Sequence, residues 1–392
     1  MSIDFAALTL VPATRAQTIE ARKRTYPQWG SGLTEDAYLQ RDADLETHEH
    51  AVNGGVRTWV LVRRDEPESL DFLCACETHR RKVLVIKKGD SQAEEVIGYG
   101  VASVYTPPRN RGKGYGQQMM RLLHWVIAPR TTAATLPASA FPEEWGAPPE
   151  WQGDGRFSVL YSDIGETFYR SSAPGESTSL GEGWVVRGAI ATLWDVGPSS
   201  KAVGSEAQLT WRDLNEAGAT EVWKRDAELM KRDLVSAAGK PDAGTALFSF
   251  TPDQGVSAVQ TRRMGYYGDV MAKNGLKWLT AWGVVLEPTG SPDEVSFATW
   301  AIDTPTTLIV TRLRSTESAF PSLLDKITDA ARQSGLAKVE VWNVPKNLEV
   351  LAAKLLNAKT EDRTNHLSAF RWYGEETPDK VEWLFNEKFC WC

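Results

Sequence analysis

Arg111-Gly112-Lys113-Gly114-Tyr115-Gly116 sets three glycines and two cations directly before an apolar, helix-type run. Glycine lets the backbone turn sharply and lie close to a ligand. Uncapped amides at a helix start, added to the helix dipole, favour negative charge at one spot. Residues 109–130 hold five Lys and Arg and no acidic residue, which strengthens that field. The chemistry this suits is the grip of a diphosphate. Gly112, Gly114 and Gly116 would form the cradle, with Arg109, Arg111 and Lys113 supplying charge and Tyr115 and Gln117 opening the helix. A dinucleotide-binding turn would read G-x-G-x-x-G early in a β-α-β unit. Here the spacing is Arg-x-x-Gly-x-Gly after Pro107-Pro108.

The elements that must position this turn are legible around it. A β-type run over 96–106 precedes it, and a helix over 117–128 follows, with Met119, Met120, Leu123, Val126 and Ile127 on its apolar face and Arg121 and His124 opposite. Upstream, the pattern predicts a strand over 5–11 and a helix capped by the Thr14–Gln17 box and stopping before Pro27. A helix over 35–47 and strands over 56–63 and 72–78 come next, with 83–87 extending or following the last. Residues 131–156 read as a surface insertion; a strand over 157–163, a helix over 164–170 and a strand over 184–194 close the first half. Beyond residue 200 the pattern predicts a helix over 207–237 and strands over 247–250, 278–286, 296–302 and 308–314. An amphipathic helix through Phe320–Ala331 and strands over 339–342 and 366–372 then repeat the earlier order. The organisation is therefore two domains, 1–200 and 201–392, of mixed α/β (α+β) class, the second a degenerate copy of the first. Where the second copy would need its own cradle it has Arg314-Ser315-Thr316-Glu317-Ser318, glycine-free and with a carboxylate that repels phosphate, so one diphosphate site per chain is expected.

Composition narrows the function classes. A formal net charge of −7 argues against nucleic acid as a partner. No apolar run reaches membrane length and no basic leader precedes an apolar one, so the chain reads as cytoplasmic, with no membrane partner. Cys74, Cys76, Cys390 and Cys392 form two C-x-C pairs. Structural zinc sites favour wider spacing, so free thiols and no metal are expected.

With these residues on the page, the turn resembles motif A of the GNAT superfamily of N-acetyltransferases, in which Arg or Gln-x-x-Gly-x-Gly or Ala binds the CoA pyrophosphate. Leu160-Tyr161-Ser162-Asp163-Ile164-Gly165-Glu166-Thr167-Phe168-Tyr169 and the Gly183-Trp184 pair stand where such a protein has its second motif. Cys76-Glu77-Thr78, the run from Ser103 through Gly116, and the terminal Phe389-Cys390-Trp391-Cys392 resemble the fungal lysine N6-acetyltransferases of lysine catabolism. The resemblance implies a GNAT fold, a mixed and mostly antiparallel sheet flanked by helices, with a C-terminal half that completes the substrate pocket. It implies acetyl-CoA as cosubstrate, held by the backbone of Val104, Tyr105 and Thr106, by the Arg109–Gln117 turn and by Ser162. It further implies a small-molecule primary amine, free L-lysine first, as acceptor; a homodimer is left open. Another amine (a polyamine, an amine-bearing toxin or antibiotic, a protein lysine) and a non-catalytic acyl-CoA-binding protein are the alternatives.

The resemblance also gives Tyr169 the role of protonating the leaving thiolate. An ε-amine has a pKa of about 10.4, so at pH 7 only about one molecule in 10³ to 10⁴ is neutral, and a base is required. Many GNATs carry that base on the strand before motif A, yet 97–106 contains no carboxylate. Glu77, Asp163, His48, His50 and the α-carboxylate of Cys392 are the candidates. Glu77 has a bridge to Arg80 or Arg81 as its structural alternative, and Asp163 a helix cap.

Overall fold

The computed structural model describes residues 3–130, 136–175, 180–197, 209–288, 290–304 and 306–391. In the first half, β1 (Leu8–Pro12), α1 (Arg15–Trp29), α2 (Glu35–Leu45), β2 (Val56–Arg63), β3 (Cys74–Lys87) and β4 (Glu94–Tyr105) lead to α3 (Tyr115–Ile127). β5 (Gly155–Ser162), α4 (Thr167–Ser171), β6 (Val185–Val186) and β7 (Ile190–Asp195) follow. The second half runs β8 (Arg212–Leu214), α5 (Glu216–Ala238), β9 (Ala246–Phe250), α6 (Val256–Met264), α7 (Gly268–Lys273) and β10 (Gly283–Leu286). It continues with β11 (Ser296–Thr304), β12 (Thr307–Arg314), α8 (Phe320–Gln333), β13 (Lys338–Trp342), α9 (Lys346–Leu356), β14 (Lys359–Asp362), β15 (Leu367–Trp372) and β16 (Val381–Trp383). No described helix is long and apolar enough to cross a membrane.

Several elements differ from the sequence expectation for identifiable reasons. The Thr14–Gln17 box caps α1 in both directions, but the helix continues through Pro27 to Trp29. In the last turn a missing N–H removes only its own bond, and Gly30 N still closes on Tyr26 O at 2.8 Å. The helix expected from residue 164 starts at Thr167, because Gly165 is left-handed (φ +79°) and Ser162 Oγ donates to its carbonyl. The strand expected over 184–194 is two strands, parted at Gly188 with φ +59°. The start of the helix expected over 207–237 is strand β8, with residues 207 and 208 outside the described residues, and only the last part of 278–286 pairs, as β10.

Two sheets result. The first has the order β1-β2-β3-β4-β5-β15-β6, with β9 pairing the far half of β3 and β16 pairing β9. The second has the order β14-β7-β13-β12-β11-β10-β8. Pairing is mostly antiparallel; β4–β5, β12–β13 and β9–β16 are parallel. A helix joins each of the first two parallel pairs, α3 in one sheet and α8 in the other. The expected repeat of element order is thus visible as a repeat of topology. The division expected at residue 200 is crossed in both directions. β7 from the first half lies between β13 and β14, and β15 from the second half lies between β5 and β6.

Helix α3 is buried on nearly every face, not along one stripe. Met119, Met120, Leu122, Leu123 and Trp125 are fully buried. One side packs on the sheet, and Leu136, Phe141 and Trp145 cover another. The segment expected as surface insertion therefore donates core. His124, expected on a polar face, is also fully buried, with Nε2 2.8 Å from Ser172 O, Nδ1 3.0 Å from Tyr373 Oη, and its ring 4.1 Å from that of Trp184.

The second half is locked by buried charge. Arg312 Nε donates to Asp226 Oδ2 at 2.6 Å, and Arg312 also pairs with Glu387, whose other oxygen accepts from Leu313 N at 2.8 Å. Arg314 reaches Asp226 at 2.6 Å and Asp233 at 2.7 Å. This ties α5, β12 and the C-terminal segment together. Breaking a buried pair from one side leaves charge uncompensated. Arg312→Met is expected to lose about 3–5 kcal/mol of stability, read as a lower urea midpoint with an unchanged m-value.

Candidate active site

The site begins where two strands part. β4 and β5 pair in parallel from Ile97↔Gly155 to Val101↔Leu160 and no further. β4 runs on to Tyr105, while β5 stays paired on its other edge with β15 as far as Ser162, opposite Leu367. Between them opens a slot walled by Ala102–Thr106 on one side and Tyr161–Asp163 on the other. Its open edge on β4 presents the backbone of Val104, Tyr105 and Thr106, all half-buried.

The glycine turn closes one end of this slot. Gly112 (φ +72°) and Gly114 (φ +80°) are both left-handed, and no side chain caps α3. The first helical amide with a backbone acceptor is Gln118 N, on Gly114 O at 2.9 Å. The amides ahead of it have no hydrogen-bond partner among the described residues. A Cβ on Gly112 would meet nothing, so that edge is open; one on Gly116 would lie 2.9 Å from Thr106 Oγ1, so strand end and helix start are in contact. These are the features an anion cradle needs, and they fit a diphosphate. Lys113 is exposed without an ion pair among the described residues. Arg111 Nε donates to Thr106 O at 2.9 Å, and its guanidinium lies 5.7 Å from the Tyr105 ring. Arg109 is turned away to Asp71 at 2.5 Å. Gln117 Nε2 reaches Ser171 of α4 at 3.4 Å, and Ser162 Oγ is spent on the turn before α4.

Tyr169 lies in the core cluster beneath α3, edge-on to Trp184. The Gly183-Trp184 pair fixes it: Gly183 N donates to Arg170 O, Trp184 N to Tyr169 O, and any Cβ on Gly183 would meet Tyr169 O at 2.1 Å. The phenol oxygen has no hydrogen-bond partner among the described residues. Burial pushes its pKa well above the ordinary value, and the Asp163 carboxylate pushes the same way. Tyr169 is therefore a protonated acid at neutral pH.

The candidate bases are not equivalent. Glu77 on β3 stands opposite Ala102 of β4, and Ser103 Oγ donates to its Oε2 at 2.6 Å. Neither Arg80 nor Arg81 bridges it: Arg80 pairs with Asp154, and Arg81 donates to the carbonyls of Cys390 and Thr251. Burial acts first on Arg22 of α1 and on Tyr38 and Asp42 of α2; the charge of Glu77 raises the pKa of all three, so these helices border it. Asp163 caps no helix. It accepts from His366 N at 2.8 Å and lies 3.0 Å from that ring's Nδ1. Partial burial works against its charge, but these His366 contacts hold its pKa below the ordinary value. His48 sits beyond the end of α2, on a cleft of about 480 Å³ shared with Arg262, Trp278 and Trp282. His50 is buried, its ring 6.2 Å from that of His79, and neither Nδ1 has a hydrogen-bond partner among the described residues. Cys392 and its carboxylate lie outside the described residues; Trp391 packs 5.9 Å from the His366 ring.

Cys74 and Cys76 are buried under α3 and Cys390 is buried in a separate cluster, so these thiols do not converge. Burial raises the pKa of all three, Cys390 up to about 12, which leaves them as thiols. Sequence reasoning passed over Ser103, because its left-handed backbone (φ +52°) depends on the pairing with β3.

Comparison with known proteins bears on this arrangement. Residues 195–392, half of the chain, match the family described as the LYC1 GNAT-like C-terminal domain. A lysine acetyltransferase of Yarrowia lipolytica is 27% identical over 154 residues, a stretch that spans 38% of this chain and 38% of that relative's length. A conserved Enterococcus faecalis protein described as a probable N-acyltransferase superposes with a TM-score of 0.52 at 11% identity, over 93% of this chain and 72% of its own. A GCN5-related N-acetyltransferase from Anabaena variabilis gives 0.50 at 12% identity with the same coverage, 93% and 72%. At these identities the likeness is one of fold, and the fold is GNAT.

Two outcomes follow from the site. An alanine at Gly114 would strain a left-handed residue and place its Cβ 3.2 Å from the Phe5 ring. Gly114→Ala is expected to weaken binding of a diphosphate ligand at this turn by about tenfold, or about 1.4 kcal/mol, measured by titration calorimetry. The second concerns pH. Burial lowers the pKa of His50 and His124 to about 3 and of His79 to about 4. The unfolded chain then binds more protons below about pH 6.5, so stability is complete above that pH and falls as pH drops towards 4. Denaturant midpoints at pH 7 and pH 5 check this, and His124→Phe should flatten the slope.

Proposed function

The chain belongs to the family of the LYC1 GNAT-like C-terminal domain, and on that premise we propose that it transfers acetyl from acetyl-CoA to a primary amine, the N6 amine of free L-lysine first among them. One observation carries the reading. The uncapped start of α3 opens onto the slot between β4 and β5, with a partnerless phenol, Tyr169, in the core beside it. A diphosphate on the amides of 112–117 would direct the pantetheine along the free edge of β4, backbone to backbone. The thioester would then lie near Ser103–Thr106, where a strand amide stabilises the developing oxyanion.

The proton balance we propose runs through Glu77 and Tyr169. Glu77 takes one proton from the ammonium group, leaving a neutral amine. The nitrogen attacks the thioester carbon; the C–N bond forms and the C–S bond breaks. Tyr169 gives its proton to the departing sulfur, and the nitrogen's surplus proton restores the phenol. The net products are the amide, free CoA and one proton released from Glu77. No thiolate takes part, since burial keeps Cys74 and Cys76 protonated. The reaction we propose is direct transfer in a ternary complex. The lysine acceptor rests on the family and on the description of the Yarrowia relative as a lysine acetyltransferase.

Thiol release with acetyl-CoA and a panel of amines tests the proposal. L-Lysine is expected to give the highest kcat/KM, above polyamines and lysine-bearing peptides. Tyr169→Phe is expected to lower kcat by about 10²-fold with little change in CoA affinity. Absence of thiol release with every amine, despite CoA binding, would leave a non-catalytic acyl-CoA binder.

A further inference from the structure

Ser103 occupies a backbone conformation that serine ordinarily avoids. Between β3 and β4 the register runs from Glu77↔Ala102 to Ala75↔Tyr105, so Ser103 and Val104 together oppose Cys76 alone. This is a β-bulge, and its first residue is left-handed, φ +52°. Glycine occupies such a position without strain, and asparagine is the next best fit. Serine there is an outlier, and strain held next to a reactive site invites a functional explanation.

The explanation is visible in what the hydroxyl does. The bulge turns Ser103 across to the neighbouring strand, where Oγ donates to Glu77 Oε2 at 2.6 Å, a short bond to a charged acceptor. Glycine would keep the backbone and lose this bond. No arginine bridges Glu77, and Arg22, whose pKa its charge raises, is already bonded to Glu46 at 2.5 Å. With one oxygen taken by Ser103, the carboxylate is oriented and its other oxygen has no hydrogen-bond partner among the described residues. The same bulge sets Val104 on the free edge of β4, so one irregularity serves both sides of the reaction.

We propose that Ser103 is a positioning residue that acts through Glu77, holding one carboxylate oxygen so that the other faces the acceptor ammonium. This rests on the reading of Glu77 as the amine's base. Three variants test it: Ser103→Gly, Glu77→Gln and the double variant. Ser103→Gly relieves the strain, so its Tm is expected to equal or exceed that of the wild type, with the KM for acetyl-CoA within about twofold and kcat down about tenfold. Glu77→Gln is expected to lose about 10²-fold in kcat, a residue of activity still measurable by thiol release. In that background Ser103→Gly should cost less than about twofold, because its effect passes through the carboxylate. Wild-type kcat in Ser103→Gly, or the same tenfold loss with and without Glu77, overturns the proposal while leaving the transferase reading intact. A wild-type protein that releases no thiol with any primary amine overturns both.

Discussion

Parallel strands that pair and then separate impose most of what surrounds them. Up to Val101 and Leu160 the β4–β5 ladder satisfies both backbones; past that point β4 has a free edge. A buried free edge needs a partner. In this molecule β5 keeps β15 on its other edge as far as Ser162, leaves β4 after Leu160, and ends in the Ser162–Gly165 turn that launches α4. The free edge is therefore available to a ligand with amides of its own. The rest of the site is arranged about that slot: α3 starts uncapped at one end of it, α4 carries the phenol of Tyr169, and β3, on the far side of β4, carries Glu77, which Ser103 of β4 reaches.

The glycine turn could be read directly from the sequence, because backbone freedom, charge and helix start all lie within a few adjacent residues. Tyr169 was singled out only through the resemblance of 160–169 to the second GNAT motif, with Gly183-Trp184 following after an insertion. Features that depend on residues far apart in the chain were not. His124 looked solvated on a helical wheel, yet Ser172, Trp184 and Tyr373 close over it from three separate segments. Leu136, Phe141 and Trp145 sat in a segment rich in proline and alanine, with no periodicity to mark them as core. The bulge at Ser103 exists only in the register between two strands, and neither strand's sequence announces it. Asp163 and His366 are neighbours only because β15 joins the first sheet.

The second half shows how a repeated topology can lose one task and take on another. The end of β12 corresponds to the end of β4, but it carries no glycine turn. Its arginines are consumed by Asp226, Asp233 and Glu387, so the place we propose for an anion in one half is matched in the other by arginines paired with the protein's own carboxylates. Burial of such groups is tolerable only because each is paired.

The reciprocal placement of β7 and β15 has a consequence for how acceptor choice can change over time. The wall of the slot facing β4 is built by Tyr161–Asp163, and its lateral support comes from Leu367 and Ser368, some two hundred residues downstream. Substitutions in β15, or in the Trp342 and Trp391 rings beside it, can reshape the opening without touching a glycine or a cation of the cradle. On the proposed reading, cofactor grip and acceptor preference are separable traits, carried by different stretches of the same polypeptide and free to drift at different rates.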